Sequence, residues 1–259
     1  MPKPLHRSVT RSRALWLAGL CCVLLAYVSA AWAAGHDPAT GLGSKVANWF
    51  AAPATWQGSN GIPNRIYQHI WYTLISMAVS LSIALPIGIG LGHLGRGGLL
   101  AINVSNIGRA VPSFGLVILM FMLAGFGFIP VLVALVALAI PPILTNSYVG
   151  MRSVDPAVRQ AAIAVGMTGW QLLWRVELPL ALPLVMAGIR TSAVQVVSTA
   201  TLAAYVGLGG LGRYLIDGLA QQQLGQVVGG AILAAILAVM TEISLAYVQR
   251  AVVSDGIID

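Results

Sequence analysis

Charge is scarce in this chain. Asp, Glu, Lys and Arg together make up 8% of its 259 residues, against 58% apolar ones. A soluble domain carries about 25% charged residues, so this sequence cannot clothe a water-exposed surface of ordinary size. Cysteine is nearly missing as well. The two copies, Cys21 and Cys22, are adjacent and sit inside an apolar run, which excludes a disulfide framework. The four His and seven acidic residues form no recognisable metal or nucleophilic site, and no cofactor is implied. Asp155 and Glu177 read most simply as a helix cap and a loop-edge acid. A Gly-rich phosphate loop ending in Gly-Lys-Ser/Thr is absent, so the chain has no visible ATPase apparatus. No catalytic residue is expected, and the enzyme class falls away.

What is present is long apolar sequence, with a mean hydropathy of +0.86. At roughly 20 residues per crossing, six candidate spans emerge: 14–34, 70–91, 105–123, 130–149, 182–203 and 225–248. The expected fold is therefore all-α and polytopic, with about five core spans plus an N-terminal one. Orientation follows from the basic residues. With the N-terminus in the cytoplasm, Lys3, Arg7, Arg11, Arg13, Arg96, Arg109, Arg152, Arg159, Arg175, Arg190 and Arg250 lie inside or at the inner edge. Only Lys45, Arg65 and Arg213 fall outside, as the positive-inside rule requires. The formal charge of +7 thus reports membrane orientation rather than nucleic-acid binding.

Residues 1–34 combine a basic head with the first span. That run also resembles a cleavable signal peptide, ending in Ala31-Trp32-Ala33. Either reading leaves residues 35–67 outside the membrane on the extracytoplasmic face, too short to bury a core of their own. Trp49, Trp56, Trp71 and Tyr72 suit interfacial belt positions. Within the core, Gly225 and Gly229 have the spacing of a close-packing pair. Pro86, Pro112, Pro130, Pro141, Pro142 and Pro183 can kink or interrupt helices. Glu242 is the clearest intramembrane acid, and Arg109 and Arg190 are near enough to the inner face to snorkel. Asn106, Asn146, Gln195, Ser198 and Thr199 are candidates for a polar translocation path, with pairing between helices as the alternative.

A polar-edged island separates the later spans. Asp155-Pro156 starts a short helix, because Asp accepts backbone N–H groups and Pro is tolerated at the first position. Gly166 permits a turn, and Thr168 with Gln171 has capping-box spacing, which predicts a second helix over 169–176. Leu178 and Pro179 mark re-entry into the bilayer. Small residues at Ala161, Ala162 and Gly166 allow close approach, with Arg159, Gln160 and Arg175 as polar contacts around them. This is either a docking element for a soluble partner or an ordinary interfacial loop.

The island resembles the cytoplasmic coupling loop of ABC-importer permeases, whose pattern is Glu-Ala-Ala, three residues, Gly, then Leu-Pro. It falls here on Gln160, Ala161, Ala162, Gly166, Leu178 and Pro179, with Gln160 in place of the acid. The similarity runs from about residue 68 to 252 and is nearest to permeases for glycine betaine, choline, carnitine and related osmoprotectants. It is carried by Asn106-Ile-Gly-Arg-Ala-Val-Pro-Ser113, Arg152-Ser-Val-Asp-Pro156, Arg175-Val-Glu-Leu-Pro-Leu-Ala-Leu-Pro183, Ala187-Gly-Ile-Arg190 and the run from Ala200 to Gly212. This resemblance implies an inner-membrane permease subunit with a 152–181 coupling loop and a short 253–259 tail. It further implies a cytoplasmic ATPase dimer, a second permease protomer and an extracytoplasmic solute-binding protein docking near 205–223. An amino-acid importer is the alternative, and a non-transport membrane anchor a more distant one. Only five Phe, seven Trp and seven Tyr are available to cage a quaternary ammonium group. Solute selection is therefore expected on the separate binding protein.

Overall fold

The computed structural model describes residues 41–253. The expected first span 14–34 with Cys21 and Cys22, its basic head, the side chain of Arg109 and the tail from 254 lie outside the described residues. Within them the chain forms helices and turns alone. They are α1 (Leu42–Ala51), α2 (Ile62–Leu94), α3 (Gly98–Ala110), α4 (Ser113–Ala124), α5 (Phe128–Arg152), α6 (Pro156–Ala164), α7 (Gly169–Leu172), α8 (Leu178–Thr199), α9 (Gly212–Ala220) and α10 (Leu224–Val252). A π turn, Leu173–Glu177, fuses α7 to α8, and a 3₁₀ segment, Ala200–Val206, extends α8.

Four continuous helical stretches are long and apolar enough to cross a membrane: Ile62–Leu94, Phe128–Arg152, Gly169–Val206 and Leu224–Val252. A fifth crossing is bent. The single span expected over 105–123 is instead two helices meeting at 89°. Pro112 supplies no N–H and pushes Val111 to extended geometry (φ −75°, ψ 120°), which ends α3 even though the composition stays apolar. The bent pair still runs from one side to the other. Gly98 lies beside the Tyr148 hydroxyl near the end of α5, and Phe126 reaches Gly207 at the opposite side.

The helix α5 is central, with 56% of its most apolar stretch buried, whereas the corresponding stretch of α10 has none. Lipid provides no hydrophobic drive for helix association, so backbone-to-backbone approach has to hold the bundle. Glycine supplies it on both sides of α5. A methyl group on Gly88 of α2 would lie 2.8 Å from the Leu144 carbonyl oxygen. One on Gly188 of α8 would lie 2.9 Å from that of Pro142. Ala134, Leu135, Ala139 and Ile143 fill the space between, all fully buried.

The expected close-packing pair on α10 does pack closely, but not against another span. Gly225 meets the backbone of Lys45 and Gly229 meets the ring of Trp49. Helix α1 therefore lies across the start of α10, and Trp49 is a packing residue, edge-on to Tyr214 at 5.1 Å, not a belt residue. The segment before α2 packs Trp49 and Phe50, half-buried, on the surface of α9 and α10. Lys45, Arg65 and Arg213 all gather at this α1 end, and Arg152 and Arg159 at the opposite, α6 end.

Candidate functional site

The island at the α6 end is built as its caps dictate. Asp155 Oδ1 accepts from the Ala157 N–H at 2.7 Å, and Pro156 opens α6. Thr168 and Gln171 close a reciprocal capping box: the Thr168 N–H donates to Gln171 Oε1 at 2.9 Å, and the Gln171 N–H to Thr168 Oγ1 at 3.3 Å. Gly166 adopts φ +84° with open space around it, making the turn between the two helices. The second helix is shorter than expected. It stops at Leu172 and passes into the π turn, where the Leu178 N–H donates to the Leu173 carbonyl. Pro179 follows at once. Its ring cannot face a regular helical carbonyl four residues back, and the widened turn accommodates it. The chain thus re-enters the membrane as one helix, starting before 182.

The two faces of α6 differ. Ala162 is its one buried residue and packs inward, so it is not part of the exposed small-residue surface expected of it. Gln160, Ala161 and Gly166 are exposed. Val158, Ile163 and Val165 are exposed too, Val165 at 77%, and Val158, Ala161 and Val165 form one stripe at i, i+3, i+7. Sequence reasoning dwelt on small residues and passed over these larger apolar ones. Leu178 and Pro179 are half-buried at the head of α8.

Arg159 also departs from expectation. Its guanidinium turns away from the exposed stripe and pairs, Nε to Oε1 at 2.7 Å, with Glu177. Glu177 is no loop-edge acid but is fully buried. Its other oxygen takes the His93 Nδ1 hydrogen bond from the last turn of α2, and Arg159 Nη2 donates to the His93 carbonyl at 3.1 Å. The partners lie too far off in sequence for local pattern to reveal them; His93 is 84 residues away.

A cavity of about 470 Å³ opens where the α3–α4 bend faces α5 and α8. Of the candidate path residues, it brings together Asn146 and Gln195. Asn106 and Ser198 are exposed elsewhere, and Thr199 is buried off this lining. Ser105, Ser113, Thr145 and Thr191 join the wall unforeseen, although Thr191 and Gln195 are one turn apart and could have been read as one face. Pro141 and Pro142, which deprive the Ala137 and Leu138 carbonyls of their helical donors, line this wall together with Leu138. Among the described residues, the lining carries no aromatic ring and no charge. The intramembrane charges pair away from it: Arg190 bonds Glu242 and, at 2.7 Å, Gln249 Oε1, tying α8 to α10. That assigns Glu242 a helix-joining role in this structure.

At the α1 end, Arg65 donates to Asn60 Oδ1 at 2.6 Å and to Gln68 Oε1 at 3.1 Å, and Arg213 pairs with Asp217 at 2.9 Å. The Tyr214 hydroxyl donates to the Asn60 carbonyl at 2.7 Å. Burial pushes its pKa up to about 12, against the opposing pull of Arg65. Gly209 and Gly210 come close to Gln68 and His69, so the glycine run after Tyr205 serves a close approach to α2.

Residues 82–255 match the family model for the binding-protein-dependent transport system inner membrane component. The chain is 36% identical over 190 residues to the glycine betaine/carnitine/choline transport system permease protein OpuCB of Bacillus subtilis, covering 73% of this chain and 88% of the relative. It is 37% identical to the carnitine transport permease protein OpuCB of Listeria monocytogenes (69% and 82% covered). It is 30% identical to the osmoprotectant import permease protein OsmW of Salmonella typhimurium (74% and 91%). Its fold is similar to a chain of the MetNI methionine ABC transporter in an inward facing conformation, with a TM-score of 0.63 at 23% identity, covering 74% and 96% of the two chains. The chain belongs to the family of inner membrane components of binding-protein-dependent transport systems and is a multi-pass permease subunit of an ABC importer.

Proposed function

We propose that this permease imports glycine betaine, choline, carnitine or related quaternary-amine osmoprotectants, as its relatives' names indicate for them. The observation that carries the coupling part of the reading is the exposed apolar stripe of α6, an uncommon feature for a solvated loop and a fit for a cleft in a cytoplasmic ATPase. In this reading the 152–181 loop faces the cytoplasm, and the N-terminus does too. Two permease protomers, identical or related, meet an ATPase dimer. Gln160, Ala161 and Gly166 lie on the docking face, while Arg159, Ala162, Leu178 and Pro179 connect it to the 68–252 transmembrane domain. The ATPase supplies hydrolysis, and this subunit performs none.

The neutral cavity at Asn146, Thr191 and Gln195 suits brief hydrogen bonding of a passing zwitterion. It has no ring to hold a quaternary ammonium group tightly. Weak contact suits passage, and it leaves selection to the extracytoplasmic binding protein at the α1 end. The test is uptake into vesicles holding the permease, its co-purified ATPase and its binding protein. ATP-dependent accumulation of labelled glycine betaine, suppressed by choline and indifferent to amino acids, is expected. Accumulation of an amino acid in its place would overturn the substrate class.

A further inference from the structure

We propose that Glu177 is the joint through which movement of α6 reaches α2 and α8; the proposal rests on the coupling reading of α6. Three elements meet at this carboxylate. Arg159 comes from the middle of α6, His93 from the last turn of α2, and Glu177 itself closes the π turn that leads into α8. The Arg159 bond to the His93 carbonyl completes the triangle, so no two of the three elements can separate without breaking a polar contact.

The rest of α6 holds the bundle lightly. Ala162 is its one buried side chain, and the larger apolar residues Val158 and Ile163 face away. A displacement imposed on the exposed stripe can pass along the chain at either end, through Ser153 and Val154 to α5 or through the Gly166 turn to α7, or across Ala162 and Arg159; of these, Arg159 is the one that makes polar contact with both α2 and the head of α8. Ala162 offers one methyl group, and the Gly166 turn leads into α7, with open space around it. Arg159 offers a charged contact through Nε to a carboxylate with no access to water, and a second contact through Nη2 to the His93 carbonyl of α2. A buried carboxylate is poorly stabilised away from its cationic partner, so Glu177 follows Arg159. Because Glu177 ends a π turn, which places a locally widened backbone at the head of α8, its movement tilts the following helix rather than compressing a regular one. Glu177, Arg159 and His93 act here as positioning residues.

The test uses the assembled complex in vesicles and reads three quantities: ATPase association, hydrolysis with and without loaded binding protein, and solute accumulated per ATP hydrolysed. Glu177→Gln keeps the side-chain volume and removes the charge. It is expected to assemble and to keep basal hydrolysis, while solute per ATP falls about tenfold, inside the 5–150-fold range typical of site-to-site coupling. Arg159→Gln should fall alike, and the double variant should be no worse than either single one, because the residues act as one unit. Arg96→Gln, an exposed inner-face cation apart from the joint, should leave the ratio unchanged. His93→Gln keeps the Arg159–Glu177 pair and gives an intermediate loss, so it carries the test should Glu177→Gln fail to insert. An assembled Glu177→Gln complex with the wild-type ratio would overturn the joint. A wild-type complex whose hydrolysis ignores loaded binding protein would overturn the coupling reading itself.

Discussion

Helix α2 is held at both ends by a histidine, and the two are held differently. His69, at the α1 end, is fully buried and bonds only to backbone: its Nε2–H donates to the Val197 carbonyl at 2.8 Å, and its Nδ1 accepts from the Leu211 N–H at 3.3 Å. The pattern fixes a neutral ring. His93, at the α6 end, is partly exposed and bonds to a side-chain carboxylate that an arginine from another helix also grips. A backbone-bonded neutral ring is a fixed pin, since its partners belong to the helices themselves. A carboxylate shared by an arginine and a histidine from two other elements is a joint, since it can shift while remaining paired. The same helix is thus pinned where solute would enter and jointed where the ATPase would push.

The comparison breaks most severely at the pin. His69→Leu strands a buried N–H and a buried carbonyl, at roughly 1–3 kcal/mol each, so a loss of about 2–6 kcal/mol is expected. A lowered unfolding midpoint in detergent and poor recovery from membranes would show it, while whatever folds should keep a normal ratio of solute to ATP. His93→Gln should show the reverse. Its stability loss is smaller, about 1–2 kcal/mol for a charge-assisted bond at a partly exposed site, but its coupling ratio falls. Equal effects of the two variants on coupling would erase the distinction between pin and joint. Smallest in stability is Ala161→Trp, on the exposed face of α6, where substitutions stay within about 0.5 kcal/mol. It should insert and melt normally yet lose the ATPase in pull-down.

Much of this architecture could be read from composition and caps. Four of the five core spans lie where apolar runs predicted them, and the Asp155 cap and the Thr168–Gln171 box formed as side-chain chemistry required. The 105–123 run was drawn as one span because a hydropathy average does not register a missing N–H; Pro112 was named as able to kink or interrupt a helix, and it is where the chain breaks into two helices at 89°. Gly225 and Gly229 announced a close approach without naming its partner, and α1 proved to be that partner. Glu177 was undervalued for a different reason. Beside Leu178-Pro179 it looks like an edge residue, and only the tertiary return of α2 and α6 removes it from water. For the cavity, Asn146 and Gln195 were legible as polar residues in apolar helices, but the hydroxyl residues completing the wall also occur wherever helices merely pack.

The most direct test of the central claim, that the exposed stripe of α6 is the surface the ATPase drives, is photo-cross-linking from position 165. A photoreactive residue replacing Val165, in the complete complex in native membranes, is predicted to capture the ATPase subunit and to do so with a yield that changes between nucleotide-free and ATP-bound states. Capture of lipid or of the permease alone, in a complex that still contains its ATPase, would contradict it.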